Sequence, residues 1–185
     1  MRIAIITGAS SGIGREFARQ IPRLYKSLDE LWVVARRTDR LKELARKSEV
    51  PVRIFDGDMM RDYIFSRIEK ELERYSADIR MLVNAAGYGK IGAAEELEME
   101  EQCGMIDLNC RSLTKLTLLC LPYMTKGSRI INIASAAAFA RSRDLPCMRL
   151  QNPMYTVFHR RYGRNERPGH CSHGSLPGPR GHGIL

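Results

Sequence analysis

The sequence predicts an α/β fold, a doubly wound parallel sheet of about five strands, incomplete and followed by an irregular C-terminal tail. Three observations point there. Short, largely apolar and β-branched runs recur at Ile3–Ile6, Leu31–Ala35, Val52–Phe55, Met81–Val83 and Ser128–Ser135, as buried parallel strands do. Amphipathic helical stretches separate them. A glycine-rich turn, Thr7-Gly8-Ala9-Ser10-Ser11-Gly12-Ile13-Gly14, follows the first run directly and opens a helix marked by Ile13, Phe17, Ala18 and Ile21.

A strand, a glycine turn and a helix N-terminus bring backbone N–H groups and a positive helix end to a place where phosphate can sit. In that reading Gly8 permits the tight turn, Gly12 lets a pyrophosphate approach the backbone, and Gly14 lets the helix pack on the sheet. The spacing is G-x-x-x-G-x-G, and an ordinary strand-to-helix loop could carry it. The whole octet resembles the cofactor motif of the short-chain dehydrogenase/reductase family. The resemblance implies a Rossmann-like, dinucleotide-binding domain and places Gly8, Ser10, Gly12, Ile13 and Gly14 against the cofactor.

The second strand ends in Arg36-Arg37. An acid at the end of this strand binds the ribose 2′-hydroxyl of NAD, whereas an arginine accommodates the 2′-phosphate of NADP. With no acid present, Arg36 favours NADP over NAD, although a solvated basic helix start has the same composition. Thr38 reads as the N-cap of the helix carrying Leu41, Leu44 and Ala45. After the third strand, the resemblance puts Asp58 against the adenine amino group. Asp58 can equally cap a helix beginning near Met60, which runs through Ile64, Ile68, Leu72 and Tyr75.

The fourth strand ends in Asn84-Ala85-Ala86-Gly87, where small residues suit close approach of backbone and ligand. This resembles the second family signature, which stabilises the central sheet and borders the nicotinamide ribose, and so implies a place for Asn84 there. A long helical region from about Glu100 to Thr125 follows, with Met105, Leu108, Leu113, Leu116 and Leu119 on its buried side. Within it Asn109 matches the family asparagine that supports a proton-relay water. A buried polar residue at a helix kink is the plainer alternative. The fifth strand, Ser128–Ser135, ends in a serine that matches the one bonding the substrate carbonyl, so Ser135 and Asn109 form the catalytic set that the resemblance implies.

Composition bounds the rest. The chain has 185 residues, enough for one sizeable core. No apolar run of about eighteen residues exists, so no membrane span is expected. The start leads straight into a strand, leaving no room for a signal peptide. Five cysteines without a C-x-x-C pair read as reduced thiols in a cytoplasmic protein. Residues 1–140 hold 22 Lys+Arg against 19 Asp+Glu, whereas residues 141–185 hold eight arginines, no lysine and two acids. The division is therefore a dinucleotide-binding domain over 1–140 and a basic tail over 141–185. Tail arginines beside Tyr155, Phe158 and Tyr162 carry no recognised nucleic-acid motif, so no nucleic-acid partner is expected. His170, Cys171 and His173 lack zinc-site spacing, and no metal is expected.

The family chemistry needs a tyrosine and, four residues on, a lysine about twelve residues past Ser135. The i, i+4 spacing joins the two side chains, and the ammonium lowers the phenol pKa. Cys147 stands there instead, and no Y-x-x-x-K follows. Tyr155 with His159 is no replacement, because Pro153 pushes Asn152 out of the α region. Codons for Arg143–Phe158, read from the third base of Arg143, can encode G-F-A-V-Y-A-A-T-K-S-Y-V-Y-S-F-S. Codons for Pro168–Ile184, read from the second base, can encode R-G-I-V-H-T-A-V-C-P-G-P-V-D-T-E-F. The tail is thus expected to be out of frame from about residue 141 and the family sequence truncated there. A nicotinamide-dependent oxidoreductase acting on a small carbonyl or alcohol, inactive as written, is the resulting expectation. A non-catalytic NAD(P)-binding or redox-sensing module is the alternative. The family forms homo-oligomers, but part of the usual dimer surface would be missing.

Overall fold

The computed structural model describes residues 1–134. Five strands, β1 (Arg2–Thr7), β2 (Glu30–Ala35), β3 (Val52–Asp56), β4 (Asp78–Asn84) and β5 (Met124–Asn132), form one parallel sheet in the order β3-β2-β1-β4-β5. Helices α1 (Gly12–Leu24), α2 (Thr38–Arg46), α3 (Asp62–Arg74), α4 (Met99–Ile106) and α5 (Leu113–Cys120) make the crossovers. The doubly wound architecture is the one the strand and helix spacing predicts.

Alternation along the strands builds two cores, one on each face of the sheet. Ile3, Ile5, Trp32, Val34 and Leu82 point to the side covered by α3 and α5, and pack on Ile64, Ile68, Leu72 and Leu116. Ala4, Ile6, Leu31, Val33 and Val83 point to the other side and pack on Ala18, Ile21, Leu41 and Leu44 of α1 and α2. Both faces are apolar because parallel crossovers cover both. Each fully buried aliphatic side chain contributes about 2 kcal/mol by removal from water.

Several local expectations are corrected. Thr38 is the first residue of α2, not its cap. Its hydroxyl donates to Asp56 Oδ2 at 3.2 Å, because the end of β3 brings a carboxylate alongside. The helix after β3 begins at Asp62, beyond Met60. Asp58 Oδ1 accepts the Met60 amide at 2.9 Å and shapes the preceding turn instead. The long helical region is present and continuous from Met99 to Tyr123, with a π-helical turn, Asp107–Ser112, between α4 and α5 and a short 3₁₀ turn at its end. The fifth strand begins at Met124, ahead of the expected Ser128. Its register against β4 jumps from Ile79↔Met124 to Met81↔Arg129, accommodated at Gly127 with φ +87°. Arg80 spans that irregularity by donating to Thr125 Oγ1 and the Lys126 carbonyl at 2.6 and 3.3 Å.

Candidate functional site

The strand order reverses between β1 and β4, and open parallel sheets bind ligands in the crevice beyond such a switch point. A cleft of about 600 Å³ lies there, between the glycine turn, the end of β2, the turn after β3 and the segment after β4. The buried Thr7 hydroxyl holds the two sides of the crevice together. It accepts the amides of Ala85 and Ala86, both at 3.0 Å, and donates to the Val83 carbonyl at 3.5 Å.

The glycine turn owes its shape to the residues that lack a side chain. Gly8 has φ +67°, and a Cβ there would lie 2.6 Å from the Ala85 carbonyl oxygen. Gly12 has φ +54° and faces open space, so the backbone at the head of α1 is free to meet a ligand. A Cβ on Gly14 would lie 2.6 Å from the Gly8 carbonyl oxygen, so the helix sits directly on the turn. Ile13 is apolar at helical spacing yet 58% exposed, turned to the cleft instead of the core.

At the end of β2 the two arginines differ. Arg37 donates from Nε to Ser10 Oγ at 3.2 Å and from Nη2 to Ser11 Oγ at 2.6 Å, clasping the glycine turn. Arg36 is exposed, lines the same cleft and has no hydrogen-bond or ion-pair partner among the described residues. Asp58 and Met59 form the wall beyond it. Burial works against ionisation of the nearby Asp56. Hydrogen bonds from its own backbone, Thr38 and Arg67 outweigh that and keep its pKa below the ordinary value.

Across the cleft, Asn109 lies in the π-helical turn and is 6% exposed. Its Oδ1 accepts the Tyr88 amide at 3.0 Å and its Nδ2 donates to the Tyr88 carbonyl at 2.7 Å. The side chain thus pairs with one residue's backbone as a strand neighbour would, and fixes the segment leaving β4. Tyr88 in turn donates its hydroxyl to the Glu101 carbonyl at 3.4 Å.

The short-chain dehydrogenase family model matches residues 2–147. The chain belongs to that family. It is 29% identical over 140 residues to an uncharacterized oxidoreductase of Staphylococcus epidermidis, with 75% of this chain and 60% of that protein covered. With sulfoacetaldehyde reductase 2 of Chromohalobacter salexigens it shares 31% over 141 residues, covering 73% and 55% respectively. The chain thus spans little more than half the length of these relatives. Among solved structures, a short-chain dehydrogenase from Sphingobium yanoikuyae in complex with NADPH superposes with a TM-score of 0.76 at 27% identity. It covers 89% of this chain and 65% of that one.

Of the residues singled out from the family resemblance, Gly8, Ser10, Gly12, Ile13, Gly14, Arg36, Asp58 and Asn109 all line the cleft. Asn84 does not. It is 3% exposed, and its Nδ2 donates to Thr117 Oγ1 at 3.1 Å and Asn132 Oδ1 at 2.9 Å, tying β4 to α5 and β5. Its Oδ1 is buried with no donor among the described residues. Ser135 lies outside the described residues, as does the boundary at 140/141. The fifth strand reaches the cleft at Ile133, whose amide donates to the Asn84 carbonyl at 3.0 Å, and at Ala134. Thr7, Ser11, Arg37 and Tyr88 were not singled out from the sequence. Thr7 and Ser11 lie in the glycine octet and Arg37 in the Arg36-Arg37 doublet, whereas Tyr88 carried no signal, because its contact with Asn109 joins residues far apart in sequence.

No helix among the described residues is long and apolar enough to cross a membrane. Burial raises the pKa of the Cys110 thiol and pushes that of Cys120 up to about 12, so neither supplies a nucleophile near neutral pH.

Proposed function

We propose that this short-chain dehydrogenase relative binds NADP(H) in the switch-point cleft and does not by itself carry out hydride transfer. The observation that carries the reading is the gathering of Gly12, Ser10, Ser11, Arg36 and Arg37 at one mouth of the cleft. These groups fit a dinucleotide. The open backbone at Gly12 and the positive end of α1 suit a pyrophosphate. Arg36 is free to meet a 2′-phosphate, and no acid at the end of β2 opposes one. The Oδ2 of Asp58, with Oδ1 engaged by Met60, suits the adenine amino group. Ala85 and Ala86 offer little bulk beside a nicotinamide ribose. The cleft volume lies within the range of cofactor sites.

A bound nicotinamide supplies hydride exchange with a carbonyl or alcohol carbon. The protein must supply the proton. Asn109 is placed to order the cleft wall through Tyr88, and Ser135 is assigned to the substrate oxygen by the family pattern alone. The 185 residues carry no Tyr-x-x-x-Lys after Ser135, so the group that exchanges the proton is missing from them. The small carbonyl or alcohol substrate and the homo-oligomer of the family belong to a complete catalytic chain. The out-of-frame reading of the tail explains the loss, and sequencing the coding DNA checks it: codons that cannot yield Y-A-A-T-K in the shifted frame exclude it. A reducing, cytoplasmic setting suits the buried thiols Cys110 and Cys120.

The deciding experiment is a fluorescence titration of the chain with NADPH and with NADH. NADPH is expected to bind about tenfold or more tightly, the worth of one phosphate–arginine contact, and Arg36→Ala is expected to erase the difference. Equal affinities for the two nucleotides overturn the NADP preference, and no binding of either overturns the cofactor reading. Cofactor turnover well above that of Ser135→Ala overturns the inactivity. Binding without turnover favours the sensing alternative.

A further inference from the structure

One buried hydroxyl joins the two ends of the cleft. Ser112 closes the π-helical turn that carries Asn109 and is 4% exposed. Its Oγ lies 2.7 Å from the Met59 carbonyl oxygen and 2.8 Å from the Asp107 carbonyl oxygen. Met59 belongs to the turn whose Asp58 side chain faces the cleft beside Arg36, whereas Asp107 begins the π turn on the opposite wall. Both contacts are at hydrogen-bonding distance and both partners only accept. A hydroxyl has one proton, so it satisfies one of the two carbonyls at a time. The Met59 contact is buried, so that carbonyl gains from the proton where no water replaces it, and the Asp107 contact is partly buried. The choice of acceptor therefore depends on the relative position of the two segments, and a ligand that shifts one changes what the other receives.

We propose that Ser112 is a positioning residue that couples the adenine end of the cleft to the Asn109–Tyr88 wall. This rests on the NADP(H) reading of the cleft given above. Occupation at Asp58 settles the 58–60 turn on the Ser112 hydroxyl, withdraws the proton from the Asp107 carbonyl, and resets the π turn that holds Asn109 against Tyr88. The adenine half of a dinucleotide thereby prepares the wall that meets the nicotinamide half. The linkage is reciprocal, as any coupling of binding free energies must be.

Two half-molecules serve as probes on the full chain: 2′,5′-ADP for the adenine end and reduced nicotinamide mononucleotide for the other. In the wild type, saturating 2′,5′-ADP is expected to tighten mononucleotide binding about fivefold, the low end of measured couplings. In Ser112→Ala the factor is expected to fall to about one. General weakening of the fold raises the apparent coupling, because either probe draws unfolded chain into the folded state, so a fall to about one separates positioning from mere stability. An unchanged factor in Ser112→Ala, or none in the wild type, overturns the proposal while leaving the cofactor reading intact. Failure of both probes to bind overturns that reading and this proposal with it. Should Ser112→Ala not fold, amide exchange in the wild type decides. On adding 2′,5′-ADP alone, Cys110 and Ser112 are expected to slow more than Ile68 and Leu72 of α3, which report global stabilisation. Equal slowing overturns the coupling.

Discussion

The two halves of the cleft are built by different means. On the β1–β2 side, a contiguous octet forms the turn, its glycines take the backbone angles it needs, and adjacent Arg36 and Arg37 complete the mouth. On the β4–β5 side almost every fixing contact is long-range: Thr7 to Ala85 and Ala86, Asn109 to Tyr88, Asn84 to Thr117 and Asn132, Ser112 to Met59. The sheet divides differently, between inner and edge strands: β1, β2 and β4 hold fully buried side chains, whereas β3 is buried only at Phe55 and Ile130 and Ile131 of β5 are partly buried. The comparison teaches that the glycine-turn half takes its shape largely from one contiguous segment, which Arg37 then clasps from the end of β2. The half nearer the expected chemistry depends on the cooperation of distant segments.

Leu82 and Ile130 are register partners on β4 and β5, which makes them the sharpest probe of that contrast. Leu82 is fully buried, and Leu82→Ala is expected to cost about 3 kcal/mol, from lost transfer and a cavity that cannot collapse. Ile130→Ala is expected to cost less, about 2 kcal/mol, since part of the side chain stays in water. Urea unfolding of both variants measures the difference, and equal losses would mean that β5 is as well covered as β4.

Gly8→Ala comes next, at about 2 kcal/mol, because φ +67° and the 2.6 Å approach to Ala85 both oppose a Cβ. The same variant is expected to lose NADPH binding, and retention of full affinity would show that the turn re-forms without its glycine. Smaller again is Arg37→Ala. Arg37 clasps Ser10 and Ser11, so its removal is expected to weaken NADPH and NADH alike by a few-fold, about 1 kcal/mol. Selective loss of NADPH would instead assign it the 2′-phosphate.

The thiols give the mildest test. Cys103 is exposed and is expected to alkylate in the folded chain, while Cys110 and Cys120 stay protected until unfolding, as peptide mapping would show. Burial raises the folded Cys120 pKa from an ordinary 9.0 to about 12. Its contribution to stability is therefore whole below pH 9.0 and is lost as the pH climbs towards 12, because only the unfolded thiol ionises in that window. A Cys120→Ala variant is expected to lose that part of the alkaline decline, and an unchanged profile would show the thiol reaches solvent.

Strand runs, helix spacing and the glycine octet are short-range patterns, and they alone determined the α/β class, the parallel strands, the anion-receptive turn and the basic end of β2. Apolar alternation and absent side chains act through the backbone of their own segment, so a sequence displays them directly. Tertiary structure decided the rest. It drew Asn84 away from the cleft to a shared role with Thr117 and Asn132. It gave Thr38 to Asp56, set a π turn at Asn109 within the long helix, and brought Ser112 within hydrogen-bonding distance of Met59. Each depends on which polar group lies within about 3 Å in the folded chain, a distance between residues far apart in sequence that no local pattern encodes.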